Sequence, residues 1–221
     1  MFDFVCTTTE CWDATGSMMQ GWAAIAGVGA VLFAARKAAD TFAGYRRQKQ
    51  EDRRIDAAER ILTLAYTLKR NLTAVRSPMS MGDEIWEAEQ QLQEADWYND
   101  MPVNRQSKAR TGQVILRRLA KNKPEWDLIF STMPVARALF GEHVEAHLQA
   151  IWEQVVAVKV SAEMYRDDEG HDPEFTARME RDFWGIGGPN DPINPNLDAA
   201  VEGLEAELLP IIRAEHAEGR S

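Results

Sequence analysis

The first 35 residues contain no lysine or arginine, and the whole 221-residue chain has only two cysteines, Cys6 and Cys11. With no base there, a cleaved signal peptide, whose leading region is basic, fits the sequence worse than an anchor does. With no cysteine after position 11, a thiol nucleophile or a zinc knuckle in the body of the chain is excluded. The sequence also lacks a Gly-x-Ser-x-Gly elbow and a phosphate loop ending in Lys-Ser or Lys-Thr. No stretch alternates polar and apolar residues with enough Val, Ile and Thr to suggest a sheet, so the expected class is all-α.

What is present is a contrast in charge and polarity along the chain. Gly21 to Ala35 carries no charged side chain, and with Met18, Met19 and Gln20 it forms an apolar window. At about 1.5 Å per residue that window covers roughly 27 Å, close to the hydrocarbon thickness of a bilayer. The flanks differ: residues 1–35 hold three acids and no base, whereas residues 36–78 hold eleven Lys or Arg against five acids. The positive-inside bias then places the N-terminus outside and everything after Arg36 in the cytoplasm.

The expected organisation is an acidic tail over residues 1–17 and a transmembrane anchor over 18–37. A basic juxtamembrane helix over 38–78 and an acidic helical domain over 79–221 follow, the domain packing with the 46–76 helix. Trp22, Ile25, Val28, Val31, Leu32 and Phe33 are the membrane-facing candidates, with Arg36 and Lys37 at the inner interface. Phe42 and Tyr45 lie just beyond that end. Ala26, Ala30 and Ala34 repeat at four-residue spacing, which lets two helices approach closely and suggests self-association. A soluble protein that buries residues 21–35 in its own core is the architectural alternative. On the outer side of a membrane, Cys6 and Cys11 in CTTTEC could form a disulfide or link two copies.

Helical periodicity organises the remainder. Ala58, Ala65 and Leu72 repeat by seven, as do Ile61, Leu68 and Val75, with Ile55 and Leu62 at the edge, so Arg46 to Val75 presents one apolar face. Only Gly44 interrupts helix formers between Ala35 and Ser77, so anchor and basic helix are expected to be continuous, ending before Pro78. An acidic helix is expected over Asp83–Tyr98, capped by Ser80, and a basic one over Asn104–Asn122, the two suited to ion pairing. Pro124 opens a short element through Met133, and Pro134 is expected to separate it from a long helix over Val135–Tyr165. That helix carries Leu139, Phe140, Val144, Leu148, Ile151, Trp152, Val155 and Val158 at steps of three and four. A helix over Pro173–Trp184, the turn GIGGPNDPINPN, and a last helix from about Leu197 to Glu218, capped by Asn194 or Asn196, complete the chain.

Candidate chemistry is sparse. His143 and His147 stand four apart, the spacing at which two imidazoles on one helix face share a metal, with Glu142 and Glu145 beside them. Val144 occupies the place where a zincin needs its Glu, and no His has a Glu three residues before it as a di-iron bundle requires. A metal-dependent enzyme built on this pair is the functional alternative. Gly185, Gly187 and Gly188 follow no strand and read as a turn, and Asn194, Asn196 and Asp198 read as helix capping, because Ala199 replaces the glycine of a calcium loop. Residues 79–221 hold fourteen bases against twenty-seven acids, which repels nucleic acid.

The segments LKRNLTAVRSPM (Leu68 to Met79) and NDPINPNLDAAVEGLE (Asn190 to Glu205) resemble parts of uncharacterised bacterial or prophage single-pass membrane proteins. The resemblance implies an N-terminal anchor, a cytoplasmic helical domain and a bacterial setting, and it implies no catalytic residue. The expected function is a membrane-anchored interaction or scaffolding module in the inner membrane. The bilayer and an unknown protein would be its partners, the protein could be a homo-oligomer, and no cofactor or catalytic residue is expected.

Overall fold

A computed structural model describes the backbone of residues 9–80, 82–185 and 191–218; side chains are described from 26 to 213, apart from residue 43 and the same gaps. All elements among the described residues are helices: α1 (Thr9–Val75), α2 (Gly82–Gln93), α3 (Asp96–Asn99), α4 (Val103–Lys121), α5 (Lys123–Phe140), α6 (Glu142–Asp167), α7 (Pro173–Phe183) and α8 (Ile193–Glu218). The chain divides into two compact units, residues 1–53 and 54–221. In the first, α1 continues unbroken through Gly44, as its helix-forming composition implies, and Thr41 returns its hydroxyl to the Lys37 carbonyl at 2.8 Å.

The second unit is built around α6, which touches α4, α5, α7 and α8. Its residues Val144, Leu148, Ile151, Val155, Val158, Ala162 and Tyr165 are buried, following the three-and-four spacing of the sequence. The stripe Ala58, Ile61, Ala65, Leu68, Leu72 and Val75 of α1 joins the same core. Each fully buried Leu or Ile there contributes about 1.5–3 kcal/mol relative to exposure. Gly112 lets α4 lie against α6: a Cβ at that position would stand 2.8 Å from the Ala162 carbonyl oxygen.

Three element boundaries differ from expectation. The acidic helix stops at Gln93, and extended Ala95 separates it from the single turn of α3. Six residues along a continuous helix would turn Leu92 and Tyr98 about 120° apart, and the break lets both enter one cluster with Ala109. Pro134 lies inside α5 rather than ending it; the break falls at Gly141, whose φ of +99° suits glycine. Pro134 and the preceding turn are largely exposed, so the Phe130 carbonyl that loses its helical donor can meet water. The last helix begins at Ile193, one turn early, because Ile193 and Leu197 are both buried. Its cap is Asp191, whose carboxylate accepts from the Ile193 and Asn194 amides at 2.9 and 3.4 Å, while Asn196 donates to the Pro192 carbonyl. Pro195 is harmless there, since first-turn amides have no helical acceptor.

Arg76 joins three helix ends. Its side chain is wholly buried. Nε donates to the Asp182 carbonyl at 3.0 Å, and Nη2 reaches the Arg181 and Trp184 carbonyls, both at 3.3 Å. Asp191 is bound two-handed at 2.8 and 3.3 Å, and Asn194 Oδ1 accepts at 2.5 Å. The Gly185 amide donates to the Arg76 carbonyl at 2.7 Å. The guanidinium thus meets the negative C-terminal end of α7, while Asp191 sits on the positive N-terminal end of α8, an order of charge that each helix dipole favours. Arg118 does similar work: it binds Glu84 and the carbonyls of Val75, Ser77 and Met79, orienting the end of α1 and the start of α2.

Replacing Arg76 by Met would leave Asp191 and several carbonyls buried without donors, at a cost of roughly 3–5 kcal/mol. Replacing Arg137, whose pairs with Glu142 and Glu145 are more than half exposed on the arginine side, should cost less than about 1 kcal/mol. Chemical denaturation of the two variants checks the contrast.

Candidate functional site

The apolar positions proposed for the membrane divide at residue 26. Side chains of Trp22 and Ile25 lie outside the described residues, as do Cys6 and Cys11. Val28, Val31, Leu32, Phe33, Phe42 and Tyr45 are described and stand between 58% and 68% exposed. Ala26, Ala30, Ala34, Arg36 and Lys37 are exposed with them. The alternative in which residues 21–35 fill the protein's own core does not describe residues 26–35. Among the described residues no helix is long and apolar enough to cross a membrane. The expected span over 18–37 therefore lacks support there, because the described apolar run, residues 26–35, is roughly 15 Å long at helical rise.

His143 and His147 do not converge. The His147 ring lies against Gly203 of α8, its Cε1 only 2.2 Å from where a Cβ would be, so the imidazole fills the place of a missing side chain. His143 is exposed and turned back toward Gly141. Among the described residues no group of three or more His, Cys, Asp or Glu is arranged to hold a metal ion. Of the turn glycines, Gly185 packs on Arg76, and Gly187 and Gly188 lie outside the described residues.

The cavity with the most distinctive lining lies within the second unit, between α4, α5 and α6, with a volume of about 470 Å³. Its apolar surface comes from Leu116, Leu119, Trp126, Trp152 and Val155. Trp126 is buried and fixed by its indole N–H, which donates to the Leu119 carbonyl at 2.9 Å. Trp152 meets Phe130 edge to face at 4.9 Å. Arg117, Lys123, Lys159 and Arg166 surround this surface with Asp127 and Glu163. Each cation has a carboxylate neighbour: Glu87, Asp127, Glu163 at 3.7 Å, and Asp167 at 2.8 Å. Gln113 and Gln91 bond to each other at 3.0 Å across the rim. Such a lining can hold a ligand. No local pattern marks the cleft, because its walls come from separate helices and each wall residue fits an ordinary amphipathic pattern.

The expected pairing of the acidic and basic helices is present as Glu84–Arg118, Glu87–Arg117 and Glu89–Arg110. A second polar cluster closes the α6–α7 turn. Asp168 accepts from the Thr176 hydroxyl at 2.5 Å, the Gly170 amide at 2.9 Å and Lys108 at 3.0 Å. Burial disfavours its charge, yet these three donors prevail and hold its pKa down at about 2. Asp191 is also lowered: burial opposes its charge, and Arg76 with two α8 amides outweighs burial. Tyr165 is pushed above its ordinary value by burial and by its 2.7 Å bond to Glu180. These groups brace helix ends.

The described residues define an all-α protein with a compact helical unit and a long exposed helical segment. Comparison with protein-family models, curated proteins and solved structures returned no match.

A carboxylate with a lowered pKa contributes stability that is complete above its ordinary value and disappears as pH falls through the folded value. For Asp168 that window runs from about pH 4 down to about pH 2. Asp168→Asn should lower the melting temperature at pH 7 and flatten its fall across this window. An unchanged acid slope would show that Asp168 does not carry the linkage.

Proposed function

We propose that the chain is a membrane-attached helical interaction or scaffolding protein of bacterial type. Residues 18–37 insert into the inner membrane with the N-terminus outside, and the helical unit from Arg54 onward is presented in the cytoplasm. The observation that carries this reading is the exposure of Val28, Val31, Leu32 and Phe33 on one helical segment beside Arg36 and Lys37. Apolar side chains in such a row are unfavourable in water and favourable in hydrocarbon. Arg46, Arg47, Lys49, Arg53 and Arg54 follow, all exposed. Each base held near an anionic leaflet adds about 1 kcal/mol of attraction. The net negative charge of residues 79–221 favours a position away from the same leaflet.

The ridge of Ala26, Ala30 and Ala34 is the surface offered for helix association within the bilayer, giving a homo-oligomer. The role in this reading is binding rather than catalysis. The metal-dependent alternative gains nothing from His143 and His147, which serve different neighbours.

Membrane fractionation tests the proposal. The full-length chain should sediment with membranes, resist alkaline carbonate and enter solution only with detergent, whereas Val31→Lys with Leu32→Lys should shift it to the soluble fraction. Recovery of the unaltered chain in the soluble fraction without detergent would overturn it.

A further inference from the structure

We propose that a second copy of the chain packs in parallel along one face of α1, on a seam of Val31, Ala35, Ala38, Phe42 and Tyr45 that runs from the bilayer into the water beyond it. The proposal rests on the membrane attachment above and carries the homo-oligomer of that reading past the bilayer. The ridge of Ala26, Ala30 and Ala34 leads at its next four-residue step to Ala38, where it enters the seam. The seam lies wholly within the first compact unit, residues 1–53. Phe42 and Tyr45 are 67% and 58% exposed, and Val31, Ala35 and Ala38 are exposed with them.

Distance decides between lipid and protein as the cover for the two rings. Because α1 is unbroken here, Phe42 and Tyr45 stand roughly 9 and 14 Å past Arg36 at helical rise. The headgroup layer adds only about 5–8 Å to each side of the hydrocarbon, so a helix near the bilayer normal carries both rings beyond it. Protein is then the non-aqueous surface left for them. Phe33, by contrast, lies on the opposite side of the helix and is open to lipid, while Ala35 and Ala38 are small enough for two backbones to approach closely.

The spacing and the charges fit a copy of the same helix. Steps of four, three, four and three from Val31 to Tyr45 are those of the inner positions of a left-handed helix pair. Copies inserted in one membrane with one topology share orientation and depth, so each seam residue meets its own counterpart. Arg36, Lys37, Asp40 and Arg47 all fall at outer positions of this repeat, away from the seam. The flanking pairs in register, Ala34 with Ala39 and Thr41 with Arg46, bring no like charges together. Thr41 needs no partner across the pair, since its hydroxyl donates to the Lys37 carbonyl at 2.8 Å. The seam ends at Tyr45: its next two positions are Lys49 and Asp52, each of which would face its own charge in the other copy.

The test is disulfide cross-linking of single-cysteine variants of the full-length chain, with Cys6→Ser and Cys11→Ser, in vesicles of phosphatidylcholine and phosphatidylglycerol. Ala35→Cys and Ala38→Cys leave both rings in place. Asp40→Cys and Gly44→Cys probe the outer face at neighbouring depths, and open space surrounds the position a Gly44 side chain would take. A disulfide needs Cα atoms within about 7 Å, so linked pairs should form at least about fivefold more at the two seam positions than at the two outer ones. Adding Phe42→Glu and Tyr45→Glu to the Ala38→Cys chain should lower its cross-linking about tenfold while the chain still sediments with the vesicles. Uniform or absent cross-linking in vesicle-bound chains, or an Ala38→Cys link indifferent to the two glutamates, would overturn the seam and leave attachment standing. Links confined to Ala26→Cys and Ala30→Cys would keep association inside the bilayer and overturn its extension to Tyr45. Failure of the chain to sediment with vesicles would overturn attachment and the seam together.

Discussion

The helical unit depends on a buried guanidinium whose every donor direction is met. Arg76 follows directly on the last core residue of α1, and without it the C-terminal carbonyls of α7 and the carboxylate that caps α8 would face one another across a dry junction. A buried charge is tolerable only when fully paired, and here pairing comes from carbonyl dipoles, one carboxylate and one amide. Arg118 repeats the device with the carbonyls that follow α1 and with Glu84. Both arginines resolve the same problem, the unsatisfied carbonyls at the end of a helix, and in doing so fix where the next helix begins.

That constraint gives α1 two characters. Beyond Arg54 its apolar stripe is part of the core, and its end is locked by Arg76. Before Arg54, among the described side chains, Val28, Val31, Leu32, Phe33, Phe42 and Tyr45 are exposed, and Arg46, Arg47, Lys49 and Arg53 follow. The proposed attachment to a bilayer accounts for both halves with one physical rule, since each apolar face finds a non-aqueous surrounding, protein in one case and lipid in the other.

Much of the fold was legible because it rests on periodicity. The α1 stripe from Ala58 to Val75 and the α6 stripe from Val144 to Val158 are buried as their spacing requires, and the opposite charge of α2 and α4 is used for ion pairing, in Glu84–Arg118, Glu87–Arg117 and Glu89–Arg110. Boundaries were less legible, because tertiary burial decided them. Ile193 draws α8 forward by a turn, Leu92 and Tyr98 break the acidic helix, and solvent at Pro134 allows α5 to continue to Gly141. The buried role of Arg76 left no local mark beyond its place one turn after Leu72 on the apolar edge. The cleft was invisible for a related reason: Leu116, Trp126 and Trp152 each look like core residues of their own helix, and only assembly leaves a gap between them. The alternative built on the histidine spacing finds no support among the described residues, because imidazoles four apart share a face only in backbone terms; the His147 ring lies against Gly203, and the His143 ring lies toward Gly141.

The central claim is that one continuous helix is held by protein over its C-terminal part and awaits lipid over the preceding apolar part. Hydrogen exchange resolved along the full-length chain, with and without phosphatidylglycerol vesicles, tests this most directly. Amides of residues 58–75 should exchange slowly in both conditions, and those of residues 26–42 should exchange fast in buffer and slowly once vesicles are added. Slow exchange of residues 26–42 in buffer alone, or no change on adding vesicles, would contradict it.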